Sequence, residues 1–309
     1  MTNETAAKAV ISEPDPEKYI NKVTLKQKLL RYKRSPLSLV LMILVMLSAL
    51  FAVGILLYLI GFILVKGIPA LSWEQFEWKY TAENVSMIPA IINTVIMVVL
   101  TLVLAVPIGI FSAIYLVEYA KRGSKLVKLV RITTETLSGI PSIVYGLFGF
   151  LMFVIGFGWG YSLISGVITL AIMVLPTVIR TTEEALLAVP DSYREGSFGL
   201  GASKTRTVFK VILPSAIPGI MSGVVLSIGR IVGESAALIF TAGTYAAIPN
   251  ADNFLFSSTR TLAVHMYALY NEGLYTQQAY ATAVILLVLT ACINLLSSFI
   301  ERKIAKNHS

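Results

Sequence analysis

Charge is scarce in this chain of 309 residues. Lys, Arg, Asp and Glu together make up 14% of it, against about 25% in ordinary soluble domains. With 56% of residues hydrophobic, a water-soluble globular fold is excluded. Cysteine occurs once, at Cys292 inside an apolar run, so no intrachain disulfide is possible. Histidine occurs twice, at His265 and His308, too far apart in sequence to suggest a metal cluster. The chain holds no zinc-ligand pair and no set of nucleophile and base, which argues against a membrane-embedded enzyme. The first 36 residues are polar and lack the apolar core of a cleavable signal peptide. Internal repeats and low-complexity tracts are also missing.

What is present is a series of long apolar runs, each near the 20 or so residues that cross a bilayer as a helix. Six spans are expected, at about 37–65, 88–117, 132–155, 161–181, 215–243 and 279–300. This makes the chain all-α and integral to a membrane, with residues 1–36 and 301–309 as polar tails. Pro107 and Gly109 predict a kink in the second span, where neighbouring helices can satisfy the freed carbonyl. Pro141 with Gly139, Gly146 and Gly149 marks the third span as one that packs closely inside the bundle. Gly156 to Gly160 reads as a short hairpin carrying the interfacial Trp159.

The net charge of +8 follows the topology of these spans. Of the 25 basic residues, 21 fall in the N-terminal tail, the 118–131 and 180–210 loops and the C-terminus. The opposite segments hold only Lys66, Lys79 and Arg260, and Arg230 lies within a span. Positive loops stay in the cytoplasm, so both termini and the 180–210 loop are expected there. The excess of positive charge therefore implies no nucleic acid. The basic stretch from Lys22 to Arg34 is expected to lie on anionic membrane lipid.

The loop 183–214 is the most distinctive polar segment. Pro190 stops the preceding helix, and Asp191 or Ser192 can cap a new one over about 192–199. It would be broken near Gly199 and Gly201, since glycine at a helix C-terminus accepts the left-handed conformation that ends it. The expected product is a short helix lying along the membrane surface. Phe198 and Leu200 would be its apolar anchors for a partner's groove, and Arg194 and Glu195 its polar contacts. A solvated amphipathic loop is the alternative on pattern alone. Gly201-Ala-Ser-Lys204-Thr205 hints at a phosphate-binding loop, but Ser203 stands where that motif needs glycine and no buried strand precedes it. Nucleotide binding by this chain is thereby rejected.

Charges inside the spans form the second signal. Arg230 and Glu234 are four residues apart, so one helix would present them on one face near the bilayer middle. Each costs about 2.5–3.5 kcal/mol there on insertion scales. Two readings stand: an ion pair that fixes helix packing, or an anion site. Arginine offers a planar fork of donors suited to phosphate; Glu234 would orient it, and Ser222, Ser227 and Ser235 could add hydroxyl donors. Gly223, Gly229 and Gly233 would keep this helix thin on one side. Glu135 is a further candidate, paired with Arg131 or with a basic residue elsewhere. Arg131 reads as a topology anchor and Arg180 as an interfacial cation.

Several stretches carry a resemblance. Glu195, Gly201 and Ile212-Leu213-Pro214 resemble the coupling loop of binding-protein-dependent ABC importer permeases, with Gly196 and Ser197 where that family has two alanines. SGIPSIVYGLFGF (138–150), LPTVIRTTEEALLAVP (175–190), GRIVGESAAL (229–238) and residues 92–120 are similar to the phosphate-specific importer permeases, closer to the PstA branch than to PstC. The similarity covers about residues 88–300. It implies a type I importer permease fold, with 183–214 as a coupling helix for a separate ATPase. The partners it implies are a PstC-like permease, PstB-like ATPases that bind ATP and Mg²⁺, and a phosphate-binding protein. This chain itself would carry no cofactor and would not be an enzyme. Sulfate or molybdate is the alternative substrate class. A stand-alone proton-coupled carrier using Arg230, Glu234 and Glu135 is the rival from another class, and the 183–214 loop counts against it.

Overall fold

The computed structural model describes residues 36–121 and 123–307, so the tail 1–35, with its expected lipid-binding stretch, lies outside the described residues. The chain divides into two units, Met1–Phe62 and Ile63–Ser309. No strand occurs among the described residues. The first unit contributes most of α1 (Pro36–Gly67). This helix is apolar on every side, as suits a hydrocarbon environment, and its side chains from Leu37 to Phe62 are largely exposed. Its 32 residues reach about 48 Å at 1.5 Å per residue.

The second unit is built around α5 (Leu163–Leu187), whose Leu170, Met173, Val174 and Val178 are completely buried. Ser162 starts this helix by accepting from the Ser165 amide. Two long helices pack against it, α2 (Ile88–Tyr119) and α7 (Lys204–Gly233). Pro89 sits in the first turn of α2, where a missing N–H costs nothing. Pro107 is carried within the same helix. Buried threonines solve the problem of polar groups in an apolar interior by donating to the carbonyl one turn back, as Thr94, Thr169 and Thr241 do at 2.7–2.8 Å.

Two of the expected spans are interrupted. In place of one helix over 132–155 there are α3 (Lys125–Ser138) and α4 (Ser142–Gly156), which meet at 103°. Gly139 ends the first and Pro141 opens the second. A proline disfavours the α conformation in the residue before it, so the chain turns there instead of kinking. The span expected over 215–243 ends at Gly233. Glu234 is extended (φ −76°, ψ 124°), and a separate short helix, α8 (Ala236–Thr241), follows. α8 packs on α4 at Gly146, where a Cβ would lie 2.7 Å from Ala237 Cα. This close approach accounts for the glycine there.

Helix α9 (Leu262–Glu272) is short and lies in the segment after α8, and α10 (Thr276–Asn307) closes the fold against α7 and α9. The hairpin at 156–160 is present. Trp159 stacks on Phe153 with ring centroids 5.7 Å apart and meets Phe256 edge-on. A second small core of Ala113, Leu186, Val208, Ile212 and Ala216 joins the ends of α2, α5 and α7. That junction carries the polar segment 183–214.

Candidate functional site

The short helix foreseen around 192–199 is α6 (Asp191–Gly199). Pro190 occupies the cap position and no side chain caps it, so Asp191 belongs to the first turn instead. The chain leaves through Gly201 at φ +80°, a left-handed conformation that costs other residues about 1–2 kcal/mol. Phe198 is half-exposed and Leu200 is 91% exposed. Glu195 and Tyr193 also face outward. Two apolar side chains are thus held in the open on a short, polar helix.

Arg194 is placed differently from its expected role. It turns inward and is the clamp that holds α6 to the body of the fold. Its Nε and Nη2 donate to Glu118 Oε1 at 3.1 and 2.7 Å. Its Nη1 donates to the Val189 carbonyl (2.9 Å) and to Asp191 Oδ1 (3.1 Å), and Nη2 also reaches the Leu186 carbonyl (3.0 Å). All five guanidinium N–H groups are thereby matched. The side chains of Arg194 and Glu118 are only 16% and 9% exposed. Ser197 and Thr207 hydroxyls, 2.8 Å apart, tie α6 to the start of α7. Lys204 lies over the Tyr119 ring at 5.1 Å.

The intramembrane charges are not assembled as expected. Glu234 lies beyond the helix end, so it does not share a helix face with Arg230. Its Oε1 accepts from the Ala237 amide at 3.0 Å and caps α8. Arg230 is half-buried in the last turn of α7, with no carboxylate within ion-pair distance among the described residues. Arg230 therefore does not form the expected ion pair with Glu234 among the described residues. Its charge reaches Tyr145, whose hydroxyl donates to the Leu137 carbonyl beside the α3–α4 bend. Ser227 is fully buried, and its hydroxyl is spent on the Gly223 carbonyl (2.9 Å). Ser222 donates to the Pro218 carbonyl. Ser235 sits at the cap position of α8 without a side-chain cap bond.

Glu135 is exposed and pairs with neither arginine. Arg131 instead pairs with Glu183, and Arg180 with Glu184 at 3.0 Å. These five side chains line one cavity of about 310 Å³ between α3 and α5. Glycines of α7 divide in role. Gly223 packs on Thr181, whereas nothing lies within 4 Å of a Cβ at Gly229 or Gly233, which flank Arg230. The thin face is open where the arginine is.

A third group was not singled out from sequence. Arg260 is 8% exposed; its Nε donates to the Thr244 carbonyl (2.6 Å), and Nη1 lies 3.4 Å from His265 Nδ1. The Tyr80 ring covers it at 5.3 Å. His265 is fully buried in α9, outside the membrane-spanning helices. Burial first, and the adjacent Arg260 second, lower its pKa to about 3. The one available signal was that Arg260 is a rare cation in its segment.

The family model for the binding-protein-dependent transport system inner membrane component matches residues 105–306. The chain belongs to this family. Among its relatives, the probable ABC transporter permease protein YqgI of Bacillus subtilis is 35% identical over 240 residues, covering 74% of this chain and 81% of that protein. The phosphate transport system permease protein PstA of Pasteurella multocida is 39% identical over 198 residues, 63% of this chain and 70% of the relative. PstA 1 of Mycobacterium tuberculosis (strain H37Rv) is 34% identical over 213 residues, covering 69% of this chain and 68% of that protein. Solved structures share the fold. A chain of a bacterial alginate ABC transporter has a TM-score of 0.65 at 15% identity, covering 89% of this chain and 98% of that one. A chain of the inward-facing MetNI methionine transporter has 0.54 at 20%, covering 79% and 96%. Family membership and the apolar helices make this chain a multi-pass plasma-membrane permease component of an ABC transporter, which is not itself an enzyme.

Proposed function

We propose that this chain is the PstA-like permease of an ATP-driven importer of inorganic phosphate. It forms one half of the translocation pathway beside a PstC-like permease. PstB-like ATPases, separate chains that bind ATP and Mg²⁺, drive it, and a phosphate-binding protein feeds it. Both termini and α6 face the cytoplasm, in accord with the distribution of Lys and Arg. The observation that carries the reading is α6: a helix anchored by Arg194 while Phe198 and Leu200 stand exposed. A stand-alone carrier has no use for such a handle. The phosphate assignment is supported by the relatives named for phosphate transport and by the unpaired Arg230.

On this reading the permease does no covalent chemistry. Closure of the ATPases pushes on α6; the Arg194–Glu118 pair passes the movement to α2, and the Ser197–Thr207 contact passes it to α7. Arg230 then meets an oxyanion through a few charge-assisted hydrogen bonds. With no carboxylate paired to it among the described residues, its charge is available. With open space at Gly229 and Gly233, an anion can approach and leave.

The test is uptake of labelled phosphate into proteoliposomes that hold this chain with its partner permease, ATPases and binding protein. Uptake should require ATP, fall strongly with Arg230→Gln and with Phe198→Ala, and not be matched by sulfate. Uptake by this chain alone on a proton gradient would overturn the proposal.

A further inference from the structure

A cavity of about 670 Å³ opens beside the first turn of α2, at Pro89, and the segment that follows α8. It is lined by Trp78, Lys79, Tyr80, Tyr245, Ala247 and Arg260, among others. Of the three basic residues in the segments read as extracytoplasmic, two are in this one cavity. The two differ in kind. Lys79 is exposed at the rim, and Arg260 is buried in the wall.

Arg260 is a guanidinium without a counter-ion. No carboxylate lies within ion-pair distance of it among the described residues. Two contacts fix it, the Thr244 carbonyl and His265. The Tyr80 ring lies over it at 5.3 Å, and both residues line the cavity. Among the described residues the other N–H groups of Arg260 make no hydrogen bond. A buried cation left in this state is costly, and an anion that enters the cavity relieves the cost. The wall is also pre-set. Asn93 donates to the carbonyls of Ala247 (2.9 Å) and Arg260 (3.3 Å), so both sides of the cavity are tied to α2. His265, held neutral, adds no competing charge. The nearby carboxylate of Glu77 is engaged by Asn84 at 2.7 Å.

We infer that this cavity is an oxyanion-binding site, distinct from Arg230, in which inorganic phosphate rests between release from its binding protein and entry to the membrane pathway. Arg260 supplies the fixed fork of donors, and Lys79 attracts the anion from the rim. The site deepens the phosphate-import reading and rests on it for the identity of its ligand.

The experiment uses the assembled importer in proteoliposomes without binding protein or ATP. The chain carries Cys292→Ser and a single reporter, Tyr245→Cys, at an exposed cavity residue. A membrane-impermeant thiol reagent is added outside with increasing inorganic phosphate. Phosphate should slow labelling several-fold. Lys79→Gln should raise the half-protecting concentration on the order of threefold, the scale of one exposed charge. Arg260→Gln should raise it on the order of tenfold or more. Lys79→Gln alters an exposed side chain and keeps the test valid should Arg260→Gln fail to fold. Protection should persist with Arg230→Gln, which separates this site from the one in the membrane. Protection by sulfate equal to or better than phosphate would support the site and overturn phosphate as its ligand class member of choice. Labelling indifferent to both anions overturns the site. A parallel arm adds phosphate-free binding protein outside; labelling blocked there, irrespective of phosphate, also overturns the site, because the cavity is then a protein contact.

Discussion

Removing the Arg194 clamp distinguishes a structural anchor from a direct contact with the ATPase. The guanidinium and the Glu118 carboxylate are 16% and 9% exposed and share two hydrogen bonds. Breaking a fully buried pair from one side costs about 3–5 kcal/mol. This pair sits at the edge of the protein, where solvent screens the charge left behind, so about 2 kcal/mol is the better figure. That converts to roughly a 30-fold rise in the opening of α6, at tenfold per 1.4 kcal/mol. Amide hydrogen exchange over 192–199 in the detergent-solubilised permease reads it directly. Arg194→Ala and Glu118→Ala should both accelerate exchange, and ATPase binding should weaken in both. The double variant should be less impaired than the sum of the two, because the partners couple. Exchange unchanged in both, with ATPase binding lost only in Arg194→Ala, would refute the clamp and return Arg194 to the partner surface.

Further outcomes follow from other contacts. Gly146→Leu should destabilise the solubilised protein by about 1–3 kcal/mol through overpacking, because even a Cβ meets the backbone of Ala237 at 2.7 Å; thermal unfolding checks it, with Gly139→Ala as an unhindered control. Glu234→Ala should cost about 1 kcal/mol as a lost helix cap, whereas Glu234→Gln keeps an acceptor for the Ala237 amide and should cost far less; equal losses would sink the capping role. His265 titrates near 3 when folded and near 6.5 when unfolded. Between those values the unfolded chain binds the extra proton, so stability falls as pH drops below about 6.5, by up to about 1.4 kcal/mol per pH unit. Thermal unfolding at pH 7 and pH 5 should show this loss reduced in His265→Gln.

The spans were legible because bilayer crossing depends on composition over long windows, which one sequence contains. The breaks were less so. Pro141 was visible, yet proline inside an apolar run ordinarily gives a tolerated kink. Here Gly139 and Pro141 act as an end and a start, and the chain turns through 103°. The hydropathy of 215–243 likewise runs through Glu234, and only the side-chain bond to Ala237 reveals why the helix stops there. The short helix α6 was read nearly to its ends from Pro190, Gly199 and Gly201, since these signals are local. The inward turn of Arg194 was not readable, because its partner lies 76 residues away. The same limit hid the Arg260 cluster, whose members Tyr80, Thr244 and His265 come from three segments.

The placement of Arg230 acquires meaning from the helix that carries it. α7 runs from Lys204, immediately after the coupling segment, to Gly233. The 26 residues between Lys204 and Arg230 span about 39 Å at 1.5 Å per residue. The near end is bonded to α6 through Ser197 and Thr207, and α6 is bonded to α2 through Arg194 and Glu118. A push on α6 therefore acts on two helices that embrace α5, and helices packed in this way move as rigid bodies more readily than they bend. A rotation of about 10° at the coupling end would carry Arg230 roughly 7 Å on this geometry. A hydrogen bond reaches about 3 Å, so that displacement is enough to make or break an anion contact. On the proposed reading Arg230 needs no partner carboxylate, because an ion pair would have to be broken at each turn of the cycle; among the described residues none forms one with it.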